Sequence, residues 1–280
     1  MSSEKRRAAP GLAAARDGRD ARERWMADRH GGDGDGWWIE GLRLALAARA
    51  AGLAFTRVAY APEFFSDTAR AAALVAALTA DGARCERLVP RDFSRLSYKA
   101  DGIVARVRYV APPLDAVLAR RGVIVVLDGL SDPGNIGAVV RTANAWCAAG
   151  VVAIDGHAKL AHEKCVRASM GALFHTPTCA ASRDEVLAAL GARALTVLDP
   201  AGSVGWPASL LDPAGSLVVV LGNEKSGVDP VLAARAAQRL AIPTSGFVDS
   251  LNVSNAAAVV LWEAYREASS LRRATSGGAS

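Results

Sequence analysis

The chain has 280 residues, enough for one large or two ordinary domains, and its 51% hydrophobic against 22% charged residues excludes a disordered polymer. Its 33 Lys/Arg and 28 Asp/Glu leave a formal net charge of +5, which admits a polyanionic partner without requiring one. Cys85, Cys147, Cys165 and Cys179 make no C-x-x-C pair and no metal spacing with His30, His157, His162 and His175, which argues against structural zinc or any other metal and against a disulfide scaffold.

Residues 1–16 are small, polar and basic and read as a disordered tail. The stretch Met1 to Arg29 carries charge throughout and lacks the apolar core of a leader, and no stretch reaches the ~18 apolar residues of a membrane span; the expectation is a reduced, cytoplasmic protein off the membrane. Gly31 to Gly36 alternates Gly and Asp and reads as a loop, because the twelfth-position Glu of a calcium-binding EF-hand is missing. Trp37-Trp38-Ile39-Glu40-Gly41 then leads into an apolar-periodic helix, Leu42 to Ala51. A strand at Phe55 to Ala59, a helix at Asp67 to Ala80 and strands at Arg84 to Val89 and Gly102 to Val107 complete a small α/β domain over residues 17–112.

The run Ala111-Pro112-Pro113 divides the chain, and the charge divides with it. Residues 1–112 hold 19 Lys/Arg against 14 Asp/Glu, and residues 113–280 hold 14 of each, so the whole surplus lies in the first part. Arg supplies 28 of the 33 basic residues; its planar fork suits phosphate, although a GC-rich genome gives the same bias.

The second domain, residues 113–272, begins with Val123 to Leu127, a continuous apolar run of the kind a strand buried on both faces needs. Further strands fit Gly150 to Ile154, Ala194 to Leu198, Leu217 to Leu221 and Arg239 to Ile242. Helical stretches fall at Ile136 to Trp146, Glu185 to Leu190 and Pro230 to Ala237, and a last helix runs from about Asn252 to Ser269. This alternation predicts a mostly parallel sheet covered on both faces. Residues 273–280 read as a second disordered tail.

In such a sheet ligands bind outside the carboxyl ends of the strands, so three loops carry the functional reading. The first, Asp128 to Gly137, has neither G-x-G-x-x-G nor G-K-[ST], which argues against a nicotinamide enzyme or a P-loop protein; it offers Asn135 at a helix start and Arg141 beyond it. The second, Leu221 to Gly227, places Gly222 where backbone can approach a ligand and Glu224 just past the sheet. The third, Ile242 to Asn255, carries Ser250, Asn252, Ser254 and Asn255 into a helix N-terminus, more hydrogen-bonding capacity than one helix cap requires.

The ordered patterns D-x-x-x-x-P-G-N-x-G-x-x-x-R-T-A (Asp128 to Ala143), L-G-N-E-x-x-G (Leu221 to Gly227) and I-P-x-x-G-x-x-x-S-L-N-V-S-x-A-A-A (Ile242 to Ala258) resemble the three motifs of the SpoU/TrmH family of RNA ribose 2′-O-methyltransferases. The stretch Lys164 to Pro177 is similar to that family's internal pattern, and the resemblance covers roughly Arg121 to Ala268. It implies a SPOUT fold, a mostly parallel sheet with a C-terminal trefoil knot, one of the known exceptions to unknotted chains. It also implies S-adenosylmethionine as cofactor, and a homodimer whose active sites use residues of both subunits. Carried over by position, Gly222, Ile242 and Leu251 would line the cofactor pocket, with Asn223, Val253 and Leu198 as further lining. Arg141 would be catalytic, Asn135 and Glu224 would support it, and Ser250 and Asn252 would shape the site. The first domain would be the RNA-binding domain that precedes the catalytic domain in many members, through a looser match at Trp37 to Gly41 and Asp101 to Ala105.

Arginine is a poor base on its face, so the resemblance leaves two mechanisms. Either Arg141 is held deprotonated, or it holds the substrate phosphate and stabilises a developing alkoxide while the proton leaves elsewhere; the second costs less energy. Large-subunit ribosomal RNA is the expected partner, with tRNA as the alternative substrate and an inert RNA-binding protein of the same fold as the alternative class.

Overall fold

A computed structural model describes Trp25 and residues 36–97, 101–204, 216–247 and 250–276. The expected N-terminal tail and most of the Gly/Asp loop lie outside the described residues. The chain forms two compact units, divided between Val110 and Ala111.

The first unit runs β1 (Gly36–Glu40), α1 (Leu42–Ala50), β2 (Ala54–Tyr60), α2 (Thr68–Ala80), β3 (Arg84–Arg87), α3 (Pro90–Leu96) and β4 (Ile103–Arg108). Its sheet has the order β1-β4-β2-β3, with β4 antiparallel to both neighbours and β2 parallel to β3. Trp37 to Glu40, left unassigned by pattern, is the edge strand β1. The expected strand to Val89 ends at Arg87, since Pro90 occupies the first turn of α3 and sets the chain turning. Alternation sends Trp38, Ala59 and Val104 into one cluster with Trp25, Leu88, Phe93 and Leu96. Helix α2 begins where the sequence places it, because the Asp67 carboxylate caps it by accepting from Arg70 N–H at 3.0 Å.

The second unit runs α4 (Leu114–Leu118), β5 (Gly122–Asp128), α5 (Pro133–Ala145), β6 (Gly150–Ile154), α6 (His157–Leu160), α7 (Glu163–Ser169), β7 (Thr178–Ala181), α8 (Arg183–Leu190), β8 (Leu195–Val204), β9 (Ser216–Leu221), α9 (Pro230–Ala234), β10 (Ala236–Ala241) and α10 (Val253–Ser276). The six strands are all parallel in the order β10-β8-β9-β5-β6-β7. Every residue of β9 and β6 is buried, as strands covered on both faces require. From β5 the chain moves outward to β6 and β7 on one side, and β9 lies on the other; this reversal opens a crevice at the carboxyl ends.

Three expectations are corrected here. The helix read to Ala237 stops at Ala234, and the strand expected from Arg239 starts at Ala236, because pairing of Ala236 with Leu195 of β8 overrides the helix preference of an alanine-rich run. The last helix reaches Ser276, so residues 273–276 are helical rather than tail; extending a formed helix is far cheaper than nucleating one. Strand β7 and helices α4, α6 and α7 were not read from the sequence at all; Thr178-Cys-Ala-Ala181 has neither bulk nor alternation to mark it.

Candidate functional site

The middle of β8 and the carboxyl ends of β9 and β10 enclose a cleft of about 590 Å³, within the size range of small-molecule sites. Its walls include Leu198 within β8, Gly222, Asn223 and Glu224 after β9, Ile242 and Thr244 after β10, and Ser250, Leu251, Asn252 and Val253 leading into α10. All six residues carried over as cofactor lining therefore face one cavity.

Gly222 is required there for a reason different from the one the sequence suggested. A Cβ at this position would lie 2.2 Å from the Gly227 carbonyl carbon and 2.3 Å from Val228 N, so the constraint comes from the loop folding back on itself. Asn223 and Gly227 close that fold by exchanging both backbone hydrogen bonds, each at 2.9 Å. The Asn223 side chain is spent as well. Its Oδ1 accepts from Lys225 and Ser226 N–H at 2.9 and 3.3 Å, and its Nδ2 donates to the Gly129 carbonyl at 2.7 Å and to Ser131 Oγ at 3.0 Å. Asn223 thus lines the cleft while its polar groups serve the loops.

At the rim, Asn135 in the first turn of α5 donates from Nδ2 to Glu224 Oε1 at 2.7 Å. Asn252 donates from Nδ2 to Asn135 Oδ1 at 3.3 Å, and its own Oδ1 accepts from Ser254 N–H and Oγ at 2.9 and 2.7 Å. Three of the five residues proposed for chemistry, one from each motif, form one hydrogen-bonded chain. Ser250 lines the cleft beside them. Arg141 stands apart: it is exposed, lines no part of the cleft and pairs with no described residue. Six residues separate it from Asn135, about 9 Å of helix rise and a different face of α5.

The loop that presents Asn135 is fastened from outside. Lys159 Nζ donates to the Leu130 carbonyl at 2.7 Å, and Lys164 Nζ pairs with Asp132 at 2.8 Å. The Lys164 ammonium and the Gly134 N–H together hold the Asp132 carboxyl below the usual carboxylate range. Deeper, the buried Asp128 carboxylate accepts from Arg183 Nη2 at 2.9 Å and from Asp229 N–H at 2.7 Å, tying the far end of the β9 loop to the end of β5. Ser131, Asp128, Arg183 and Asp229 were not singled out as functional residues. Asp128 opens the first motif and could have been weighed, whereas nothing local marks Arg183, whose partners lie 55 and 46 positions away in the chain.

Comparison with known proteins follows the same boundaries. The signature of the SpoU rRNA Methylase family matches residues 122–262, half of the chain. The chain belongs to that family. It is 32% identical over 145 residues to the 23S rRNA (guanosine(2553)-2′-O)-methyltransferase RlmP of Bacillus subtilis, a match covering 52% of this chain and 58% of that protein. It is 39% identical over 145 residues to a 23S rRNA (adenosine(1067)-2′-O)-methyltransferase of Streptomyces laurentii, covering 50% and 53% respectively. The matched region thus spans little more than half the length of these curated relatives. Among solved structures, the SpoU methyltransferase AviRb from Streptomyces viridochromogenes, crystallised with AdoMet, aligns with a TM-score of 0.72 at 25% identity, covering 88% of this chain and 97% of that one. The second and third motif segments line the cleft, and Asn135 of the first is hydrogen-bonded to Glu224 and Asn252 at its rim.

Proposed function

We propose that this SpoU family protein transfers a methyl group from S-adenosylmethionine to a ribose 2′-hydroxyl in 23S ribosomal RNA. The observation that carries the reading is the cleft at the strand ends with the Asn252–Asn135–Glu224 chain along its rim. The cleft fits the cofactor. Leu198, Leu221, Ile242, Val253 and Ala256 offer apolar walls for a flat base, and the carboxylate of Glu224 suits a cationic sulfonium. When bound, S-adenosylmethionine supplies an activated methyl for in-line displacement.

The protein supplies alignment and charge. Glu224 fixes Asn135, which in turn accepts from Asn252, so the three motifs are held in one register before RNA arrives. Arg141 binds the phosphate beside the target nucleotide and stabilises the alkoxide as it develops. We assign the departing proton to Glu224 Oε2, whose one hydrogen bond among the described residues is a 3.5 Å approach from Ser131 N–H and which therefore keeps lone pairs available.

The position of Arg141 outside its own chain's cleft supports a homodimer in which it serves the partner's site. So do the exposed apolar side chains of Phe247, Leu251, Val259 and Trp262, and the mutual ring contacts of Trp146, just past α5, with Trp262 and Tyr265 of α10. The trefoil knot, the cytoplasmic setting that suits four free thiols, and the first unit as the RNA-binding part belong to the same proposal.

The test is transfer of labelled methyl to 23S rRNA and to tRNA, with the modified ribose mapped. Transfer to neither RNA sinks the enzymatic reading, and transfer to tRNA alone moves the substrate. Mixing Arg141→Ala with Glu224→Gln protomers examines the shared site: one repaired site per mixed dimer restores about a quarter of full activity, whereas self-contained sites restore none.

A further inference from the structure

The Asn223 side chain is saturated by two different jobs. Its carbonyl oxygen accepts the Lys225 and Ser226 N–H groups at 2.9 and 3.3 Å, an Asx turn that shapes the cofactor loop. Backbone N–H groups only donate, so the atom facing them is the oxygen, and this fixes the amide orientation. The Nδ2 group must then point the other way, where it donates to the Gly129 carbonyl at 2.7 Å and to Ser131 Oγ at 3.0 Å. Neither bond is local: Gly129 and Ser131 are 94 and 92 positions away.

The surroundings turn this contact into a link. Residues 129–131 exit β5, and Ser131 N–H approaches the carboxylate of Glu224, the next residue after Asn223. Glu224 in turn holds Asn135. At its other end the same loop is bolted to β5 through Asp229 N–H on the buried Asp128 carboxylate, with Arg183 bridging both aspartates. The loop is anchored at Asp229 and clasped at Asn223, which places the Gly222–Asn223 segment in one bonded chain with Ser131 and Glu224.

We propose that Asn223 is a positioning residue that couples the cofactor loop to the acceptor side of the site, so that an occupied cleft pre-sets Ser131, Glu224 and Asn135 for RNA. The inference rests on the methyltransferase reading given above. It predicts reciprocal coupling: RNA tightens cofactor binding by the factor by which cofactor tightens RNA binding.

Two substitutions separate the two jobs. Asn223→Asp keeps an oxygen for the Asx turn but sets a carboxylate against the Gly129 carbonyl, which cannot donate to it, and leaves only the Ser131 hydroxyl able to reverse and donate. Asn223→Ala removes turn and clasp together. S-adenosylhomocysteine affinity is measured by calorimetry with and without 23S rRNA, alongside kcat and KM for methyl transfer and a thermal melt. For Asn223→Asp the expected result is cofactor affinity within about threefold of the parent, loss of the RNA-dependent gain in affinity, and a kcat reduced about tenfold or more. Asn223→Ala adds weaker cofactor binding.

Parent-like kcat and coupling in Asn223→Asp overturn the clasp and leave the enzyme reading standing. Loss of cofactor affinity in step with kcat also overturns it, by making Asn223 a cofactor ligand. If Asn223→Asp melts early, Ser131→Ala on the opposite side of the clasp decides the matter: reduced coupling with unchanged cofactor affinity supports the proposal, and unchanged coupling ends it. A parent protein that neither binds S-adenosylhomocysteine nor transfers methyl fails the underlying function instead.

Discussion

The two units solve the burial problem differently, and the difference divides their labour. In the second unit, strands such as β6 and β9 are buried along their whole length, so polar chemistry is displaced to the loops at the strand ends. In the first, the strands alternate, and charged side chains stand on the sheet itself. Register places Arg57 of β2 directly beside Arg84 of β3 and Arg106 of β4, a row of three arginines on adjacent strands. The Trp25 ring lies 4.2 Å under the Arg57 guanidinium. The second unit gathers its polar groups at a cleft, and the first carries an arginine row on its sheet; under the proposed function the one would serve catalysis and the other RNA.

The sharpest way to break that division is Arg141→Ala, an exposed arginine in the otherwise balanced unit. Methyl transfer falls roughly a thousandfold while S-adenosylhomocysteine affinity by calorimetry stays within about twofold. Substantial residual turnover would mean that the chemistry lies elsewhere. Removing residues 1–110 is expected to weaken rRNA binding roughly a hundredfold at moderate salt and to flatten its salt dependence, with cofactor affinity unchanged. Filter binding across a salt series reads both, and an unchanged slope would show that the arginine row does not meet phosphate.

Gly222→Ala sharpens the other half of the comparison. Its new Cβ meets backbone of residues 227 and 228, so the loop cannot close, and cofactor affinity drops about tenfold with only a small change in melting temperature. The smallest effect separates the units energetically. Burial pushes the Cys165 and Cys179 thiols up to about 12 and about 11 in the second unit, and it also raises Cys85 in the first. Exposed Cys147 labels at once with a thiol reagent, while the other three wait for their unit to open. Labelling of Cys85 at lower denaturant than Cys165 and Cys179 marks independent unfolding. Simultaneous labelling would show that the two units share one cooperative transition.

Much of this was legible in the residues. Apolar runs such as Val123 to Leu127 announced buried parallel strands, because a strand covered on both faces has no polar side to disguise it. Strand β7, made of Thr and small residues, left no such trace, since its assignment comes from pairing with β6. Likewise the alanine run after Pro230 reads as helix until β8 claims its end. The motifs located the cleft through residues whose type is dictated by their own loop, as Gly222 is.

The sequence by itself determined the alternating strand–helix character of the second unit and the loops that hold the cleft, and through the motif resemblance it pointed to Asn135, Glu224 and Asn252. These depend on local pattern and spacing, which a linear chain displays. Only the tertiary structure decided that Asn223 faces residues 129 and 131, that Arg183 neutralises Asp128, and that Arg141 stands outside its own chain's network. Hydrogen bonds between loops ninety or more positions apart have no periodicity to betray them. They exist because parallel strands bring their carboxyl ends to one edge, and that convergence is a property of the folded sheet.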